Sequence, residues 1–564
     1  MSDTAMREKD VPVHANADKN VPPCGWWTEQ HAESKKDAET INQVLHDLRK
    51  PVYVIDEKEK QAFTNKGRVE LGVEQAPDQS LPLIAYAPAL KPAQLGDISF
   101  CKDHNIRLPY MTGAMANGIA SVELVKAIAS AGLLGSFGAA GLMVDQIEEA
   151  IVELKSALGD RPFCSNLIHS PNEKGQEQAV VDIYLKHNVQ LVEASAYMAL
   201  TLAVVRYRLH GIHRDQAGNI VTPNNIIAKA SRIEVAQRWF SPAPEKYLKQ
   251  LLEAGGISEE QAELAAFVPM AQDLTIEADS GGHTDNRPAI TLIPTIIALR
   301  DRLQKQHNFK MPLRVGAAGG IATPASAAAA FAMGAAYIVT GTVNQACVES
   351  GSSDLVRQML TEAKQADVAM APAVDMFEMG VKLQVLKRGT MFAMRGNKLY
   401  ELYRAYDRIE DIPQKELESV EKTIFKASAE EIWQNTRSFF LQRDPAEVDK
   451  ADNDPKHKMA LIFRWYIGNS SQWPIVGETD RMGDYQIWCG PAMGAFNRWV
   501  EGSFLELPEA RTVQQIAMNL LEGAAHVTRV QQLRSFGLAM APDSLDFRPT
   551  RLRVQTGLNQ VGEH

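Results

Sequence analysis

His283 lies within the stretch Leu274–Pro288, LTIEADSGGHTDNRP, directly after Gly281 and Gly282. A histidine at the C-terminal end of a strand can donate a hydrogen bond or move a proton near neutral pH. A structural histidine bonded to its own loop is the competing expectation. Leu313–Ile321, LRVGAAGGI, again runs from an apolar strand into glycines. Gly319 and Gly320 carry no side chain that would keep an anion from the backbone. Tyr337–Val343, YIVTGTV, repeats the pattern with Gly341 and Thr342. Three such units in succession fit the last strands of a (β/α)8 barrel, whose phosphate site usually lies on the loops after strands 7 and 8. A phosphate cradle and a histidine on one rim imply a phosphate-bearing cofactor with chemistry beside it.

Other residues could join that chemistry. Lys229 interrupts the apolar run NIIAKAS, and a barrel strand seldom buries a lysine without a partner. It either stabilises negative charge at N1 and the C2 carbonyl of a reduced flavin, or pairs with Glu193, Glu277 or Asp279. Gly113, Ala114, Met115, Ala116 and Asn117 form a loop of small residues that either admits a flat ring or makes a tight turn. Asn166 either bonds a ring edge or satisfies neighbouring backbone. His169 is a weaker candidate of the same kind as His283; His210 and His213, in RLHGIH, read as structural or surface residues. There is no GxGxxG, Walker loop, GxSxG or HExxH in the chain, so a Rossmann domain, a P-loop, a hydrolase elbow and a zincin are unsupported.

The elements that must hold these residues can be read along the chain. Strands are expected at Arg107–Thr112, Leu133–Phe137, Arg161–Ile168, Gln190–Ala194, Asn225–Ala230, Leu274–Ala278, Leu313–Ala317 and Tyr337–Thr340, with helices between them. Ser121 and Thr323 sit where N-caps belong, and Pro324 follows at the first helical position. The expected organisation is a mobile segment (1–35), a small N-terminal domain (36–105) and the barrel (106–345), with a helical insertion at about 235–270. A helical region (346–455) follows, then a C-terminal region (456–564) that packs on the barrel or on a second chain. Met376, Met379, Leu383 and Leu386 suggest one helical stripe, which either packs in a core or lines an acyl groove. Asp444–Lys458 reads as an exposed, charged linker.

With 564 residues, 45% hydrophobic and 23% charged, the composition is that of a globular enzyme of more than one domain. A net charge of −10 argues against a nucleic-acid partner bound through its phosphates. Cys24, Cys101, Cys164, Cys347 and Cys489 include no CxxC, so no zinc ribbon is indicated; reduced thiols in a cytoplasmic protein are expected, and no metal. The N-terminus lacks the apolar core of a signal peptide. Val315–Val348 is free of charge, yet its glycines, alanines and Thr-Pro fit a buried strand–helix–strand better than a membrane span.

Several of these segments resemble a known family. TGAMANGIASVELVKAIASAGLLGSFGAAGL, EADSGGH and AAGGIATPASAAAAFAMGAAYIVTGT are similar to the nitronate monooxygenase (2-nitropropane dioxygenase-like) family of FMN-binding barrels over residues 107–345. SNLIHSPNE, ASAYMALT, VDMFEMGVKLQVLKRGTMFAMRGNKLYELY and FRWYIGNSSQWPIVGETDRMGDYQIWCGPAMGAFNRWVEGS resemble the PfaD subunit of bacterial polyunsaturated fatty acid synthases and the trans-acting enoyl reductases of polyketide synthases. The resemblance implies FMN, NADPH as hydride donor, and a region like the acyltransferase helical insert after the barrel. It places Gly113, Ala114 and Met115 under the flavin ring, and Asn166 and Lys229 at its pyrimidine side. Ser280, Gly281 and Gly282 would flank phosphate and ring, Gly319, Gly320, Gly341 and Thr342 would hold the phosphate, and His283 would stand at the reacting face. Many smaller nitronate enzymes carry Gln where this chain has Lys229. The expected activity is reduction of enoyl thioesters on acyl carrier protein domains of a megasynthase. A nitronate-oxidising flavin oxygenase and a non-catalytic docking subunit are the alternatives.

Overall fold

The computed structural model describes residues 23–28, 38–58, 60–169 and 175–553. Contacts divide the described residues into two compact units, one made by those up to Leu95 with Asn519–Pro549, the other by those of Gly96–Met518 with Thr550 and the few described after it.

The larger unit is built on eight parallel strands closed into a barrel. In chain order they are Tyr110–Thr112, Leu134–Phe137, Cys164–Ile168, Leu191–Ser195, Asn225–Ala230, Asp273–Glu277, Arg314–Ala318 and Ile338–Thr340. Each pairs with its chain neighbours and the last with the first. These are the eight segments expected from the sequence, because each is a short apolar run bounded by turn residues. Ser121 and Thr323 cap their helices through hydroxyls that accept from Leu124 and Ser326 N–H. The charge-free stretch is the seventh strand, the helix Pro324–Ala332 and the eighth strand. The long fifth connection carries the helices Glu245–Glu253 and Glu259–Leu264.

At the strand N-termini the barrel is sealed by ion pairs beneath an apolar cluster. Phe100 stacks on Tyr337 with ring centroids 3.9 Å apart. Arg314, with its side chain 1% exposed, contacts Asp273 at 2.6 Å and Asp103 at 2.7 Å, and His104 bonds the other Asp273 oxygen at 2.8 Å. Removing one partner of a buried pair strands the other charge. Arg314→Met is therefore expected to cost about 3 kcal/mol or more in chemical denaturation. A cost under about 1 kcal/mol would mean that the pair behaves as a surface contact.

Beyond the barrel the chain departs from expectation twice. Met376–Leu386 is not a helical stripe. Gly380, at φ +70°, turns the chain, and Lys382–Leu386 is a strand paired antiparallel with Val368–Pro372 on one side and Gly282–His283 on the other. Leu383 and Val385 are buried among Phe377, Phe392, Phe463 and Tyr466; the helix-like spacing arose from a turn followed by a strand. Asp444–Lys458 is not a linker. Asp444 and Asp454 cap the helices Pro445–Asn453 and Pro455–Val476, each with proline at the start, and Val448 and Ala451 are buried. The acids that suggested a solvated run are helix caps.

The smaller unit is a five-stranded sheet in the order Gln61–Thr64, Val52–Asp56, Ser80–Ala87, Gly25–Thr28, Arg68–Leu71. Of the segment expected to be mobile, residues 1–22 and 29–35 lie outside the described residues. Gly25–Thr28 is a paired strand, and Trp27 is buried with its indole N–H bonded to Lys66 O. The C-terminal region does not stay together as one piece: Val530, Leu533 and Leu538 share a core with Val44, Val52 and Phe63. Buried Arg529 donates to the carbonyls of Leu45, Asp47, Leu48 and Lys50. A pairing 484 residues apart leaves no local mark in the sequence.

Candidate functional site

The strand C-termini gather most of the expected residues. Glu193, on the fourth strand, is fully buried. Its Oε2 accepts from Ala114 N–H at 2.7 Å, while Gly113 N–H is used by Thr340 O, so the first loop is pinned to its neighbours on the rim. Met115 O accepts from Ala120 N–H, which closes the loop. Asn166 spends its amide nitrogen on Glu193 O and Ser195 Oγ. The backbone-satisfying role is therefore the one observed, and the ring-edge role is left to its oxygen.

Lys229 shows the ion-pair arrangement. Its Nζ lies 2.8 Å from Glu277 and 3.8 Å from Glu193 Oε1. Burial alone would lower its pKa, but Glu277 and Glu193 outweigh burial and raise it, so the ammonium stays charged. One ammonium faces two carboxylates, and Glu193 Oε1 has no hydrogen-bond partner among the described residues.

The loop after the sixth strand is held from outside the barrel. Gly282–His283 pairs with Gln384–Leu383, and an added Cβ at Gly281 would stand 2.9 Å from the backbone of Cys489. Gly281 is thus required by chain packing, whatever else it does. Ser280 Oγ, Gln384 Oε1 and Trp488 Nε1 are buried around this loop without partners among the described residues. His283 Nε2 lies 3.0 Å from Asp375 Oδ1, and its side chain is half exposed. Burial pushes its pKa down, but Asp375 and then Glu277 push harder the other way, and the net direction is up.

On the next two loops Gly319 is left-handed at φ +89°, and a Cβ there would meet Ala278 O at 2.6 Å. Gly320 and Gly341 face open space where a Cβ would stand, and Thr342 begins the short helix after Gly341. Open glycine backbone on two adjacent loops, with orphaned buried polar atoms nearby, fits a phosphate-bearing planar cofactor.

Of the other histidines singled out in the sequence, His169 bonds Glu177 at 2.9 Å, and exposed His213 bonds Gly211 O. Asp375, Gln384 and Trp488 were not legible as site residues in the sequence. Glu193 could have been found by the argument that found Lys229, an ionisable group inside an apolar strand.

Known proteins match this architecture. The nitronate monooxygenase family profile matches residues 100–395, and that of the inserted helical domain of [acyl-carrier-protein] S-malonyltransferase matches residues 406–485. The chain belongs to the nitronate monooxygenase family. Within it, the chain is similar to proteins of polyunsaturated fatty acid and polyketide synthesis and to a solved enoyl reductase domain. It is 49% identical over 460 residues to a polyunsaturated fatty acid synthase protein of a Thraustochytrium species, covering 80% of this chain and 31% of that protein. It is 44% identical over 432 residues to polyketide biosynthesis protein PksE of Bacillus subtilis, covering 76% of this chain and 56% of that protein. The chain therefore spans about a third and somewhat over half of these two relatives. The crystal structure of the enoyl reductase domain of MlnA, from the macrolactin cluster of Bacillus amyloliquefaciens, is 36% identical with a TM-score of 0.75, covering 78% of this chain and 99% of that one. The helical-insert match begins later than the 346–455 expected and runs through the helix Pro455–Val476. No helix among the described residues is long and apolar enough to cross a membrane.

Proposed function

We propose that this chain is an FMN-dependent, NADPH-using enoyl reductase that acts in trans on enoyl thioesters carried by acyl carrier protein domains of a polyunsaturated fatty acid or polyketide synthase. The observation that carries this reading is the convergence, on one barrel rim, of open glycine backbone at Gly320 and Gly341 with Lys229 and His283. The names of the relatives support it. FMN bound there supplies the passage of hydride from NADPH to the β-carbon of the enoyl thioester.

The chain's own residues do the rest. Gly319, Gly320, Gly341 and Thr342 would hold the FMN phosphate through backbone, and Gly113, Ala114 and Met115 would lie under its ring. Ser280 and Gly282 would border it, and Asn166 and Lys229 would serve its pyrimidine side. Lys229, balanced by Glu193 and Glu277, offers a charged donor without leaving a bare cation in the barrel. His283 donates to the thioester oxygen as charge develops there and supplies a proton to the product. A cytoplasmic location suits such a partner.

Two tests apply. The purified chain, NADPH and a crotonyl-loaded carrier domain should yield the butyryl-loaded domain with matching NADPH loss. Consumption of a nitronate and O2 that spends no NADPH, with no butyryl product formed, would favour the oxygenase instead. Second, a Cβ added at Gly341 would touch nothing in the protein. Gly341→Val is expected to leave the apoprotein's thermal midpoint in place while weakening FMN binding about tenfold or more, roughly 1.4 kcal/mol. Unchanged FMN affinity would place the phosphate elsewhere.

A further inference from the structure

His283 comes from the barrel, but the group that bonds it does not. Asp375 lies between the strands Val368–Pro372 and Lys382–Leu386, and the second of these is paired to Gly282–His283. This three-stranded sheet seats the carboxylate 3.0 Å from Nε2. We propose that Asp375 is the positioning residue of His283, orienting the ring through Nε2 and keeping it doubly protonated so that Nδ1–H is the donor presented to the reacting carbonyl. The inference rests on the enoyl reductase reading.

The argument is one of tautomers. With Asp375 ionised, Nε2 must carry a hydrogen to make its bond. A neutral ring would then have a bare Nδ1, which can only accept. Only the imidazolium donates at both nitrogens. The second acid facing the ring is Glu277, which acts in the same direction. Asp375 in turn faces Arg464 on the helix Pro455–Val476, and Arg464 also pairs with Glu378 at 3.2 Å. Asp285, on the same loop as His283, is occupied by Arg232 at 2.9 Å. Burial raises the carboxyl of Asp375, His283 lowers it, and the net direction is down, so Asp375 is the ionised member.

The donor form of His283 is then present at low pH and lost as pH rises through its raised pKa. The test combines NMR and kinetics on the FMN-loaded full chain. The His283 imidazole resonance is assigned by its absence in His283→Gln and titrated in wild type, Asp375→Asn and Asp375→Glu. The pH profile of crotonyl thioester reduction is recorded in parallel. In Asp375→Asn both the titration and the alkaline limb should move down by about one pH unit or more, with reduction near pH 8 about tenfold slower. Asp375→Glu should restore most of both, and flavin occupancy should not change. An imidazole titration that stays in place, or one that moves while the pH profile does not, would overturn the assignment. Failure of wild type to reduce the thioester at any pH would instead count against the function, while the titration would still decide whether Asp375 holds the imidazolium.

Discussion

Lys229→Met is expected to destabilise the barrel by about 3 kcal/mol and to abolish stable flavin binding. The reason is the charge balance inside the rim. Glu193 is fully buried, and Glu277 stands 2.8 Å from the ammonium. Without the lysine, two carboxylates face each other where the pyrimidine side of the cofactor would lie. The double variant Lys229→Met/Glu193→Gln separates the two effects. It should recover most of the lost stability, because the buried uncompensated charge is gone, but not the flavin affinity. Denaturant midpoints and FMN titrations of the single and double variants check this. A single variant as stable as wild type would show that the pair contributes nothing, and a double variant no better than the single would show that Glu193 is not the stranded charge.

The second large effect is kinetic. His283→Gln should lower thioester-dependent turnover about 10²-fold or more, the usual worth of a placed proton donor. Flavin occupancy and the bleaching of its spectrum by NADPH should remain. Glutamine keeps a hydrogen-bonding side chain but cannot titrate, so the surviving activity should also lose its alkaline limb. Turnover within a few-fold of wild type would remove His283 from the chemistry.

The fold was readable wherever local rules carried it. All eight barrel strands are short, mostly apolar runs, the first two and the last three end in glycine-bearing loops, and Ser121 and Thr323 cap their helices as their positions imply. What escaped was decided by distant partners. Asp444 and Asp454 look like a charge run until the helices they cap are seen. Leu383 and Leu386 keep helical spacing with Met376 and Met379 but lie on a strand created by pairing to His283 and to Val368–Pro372. Trp26 and Trp27 hide in a polar N-terminus, yet form a strand between Ser80–Ala87 and Arg68–Leu71. The candidate site divides the same way. Glycines, Lys229 and His283 announce themselves through residue type and context. Asp375, Gln384 and Trp488 come to the rim only through tertiary structure, and no spacing rule reaches them.

The most direct measurement is anaerobic stopped-flow spectroscopy on the purified, FMN-loaded chain. NADPH is added first and a crotonyl thioester second. The account requires the flavin absorbance to bleach with NADPH and to return with the thioester as the saturated product forms. A bleached spectrum that ignores the thioester and recovers only with air and a nitronate would contradict it.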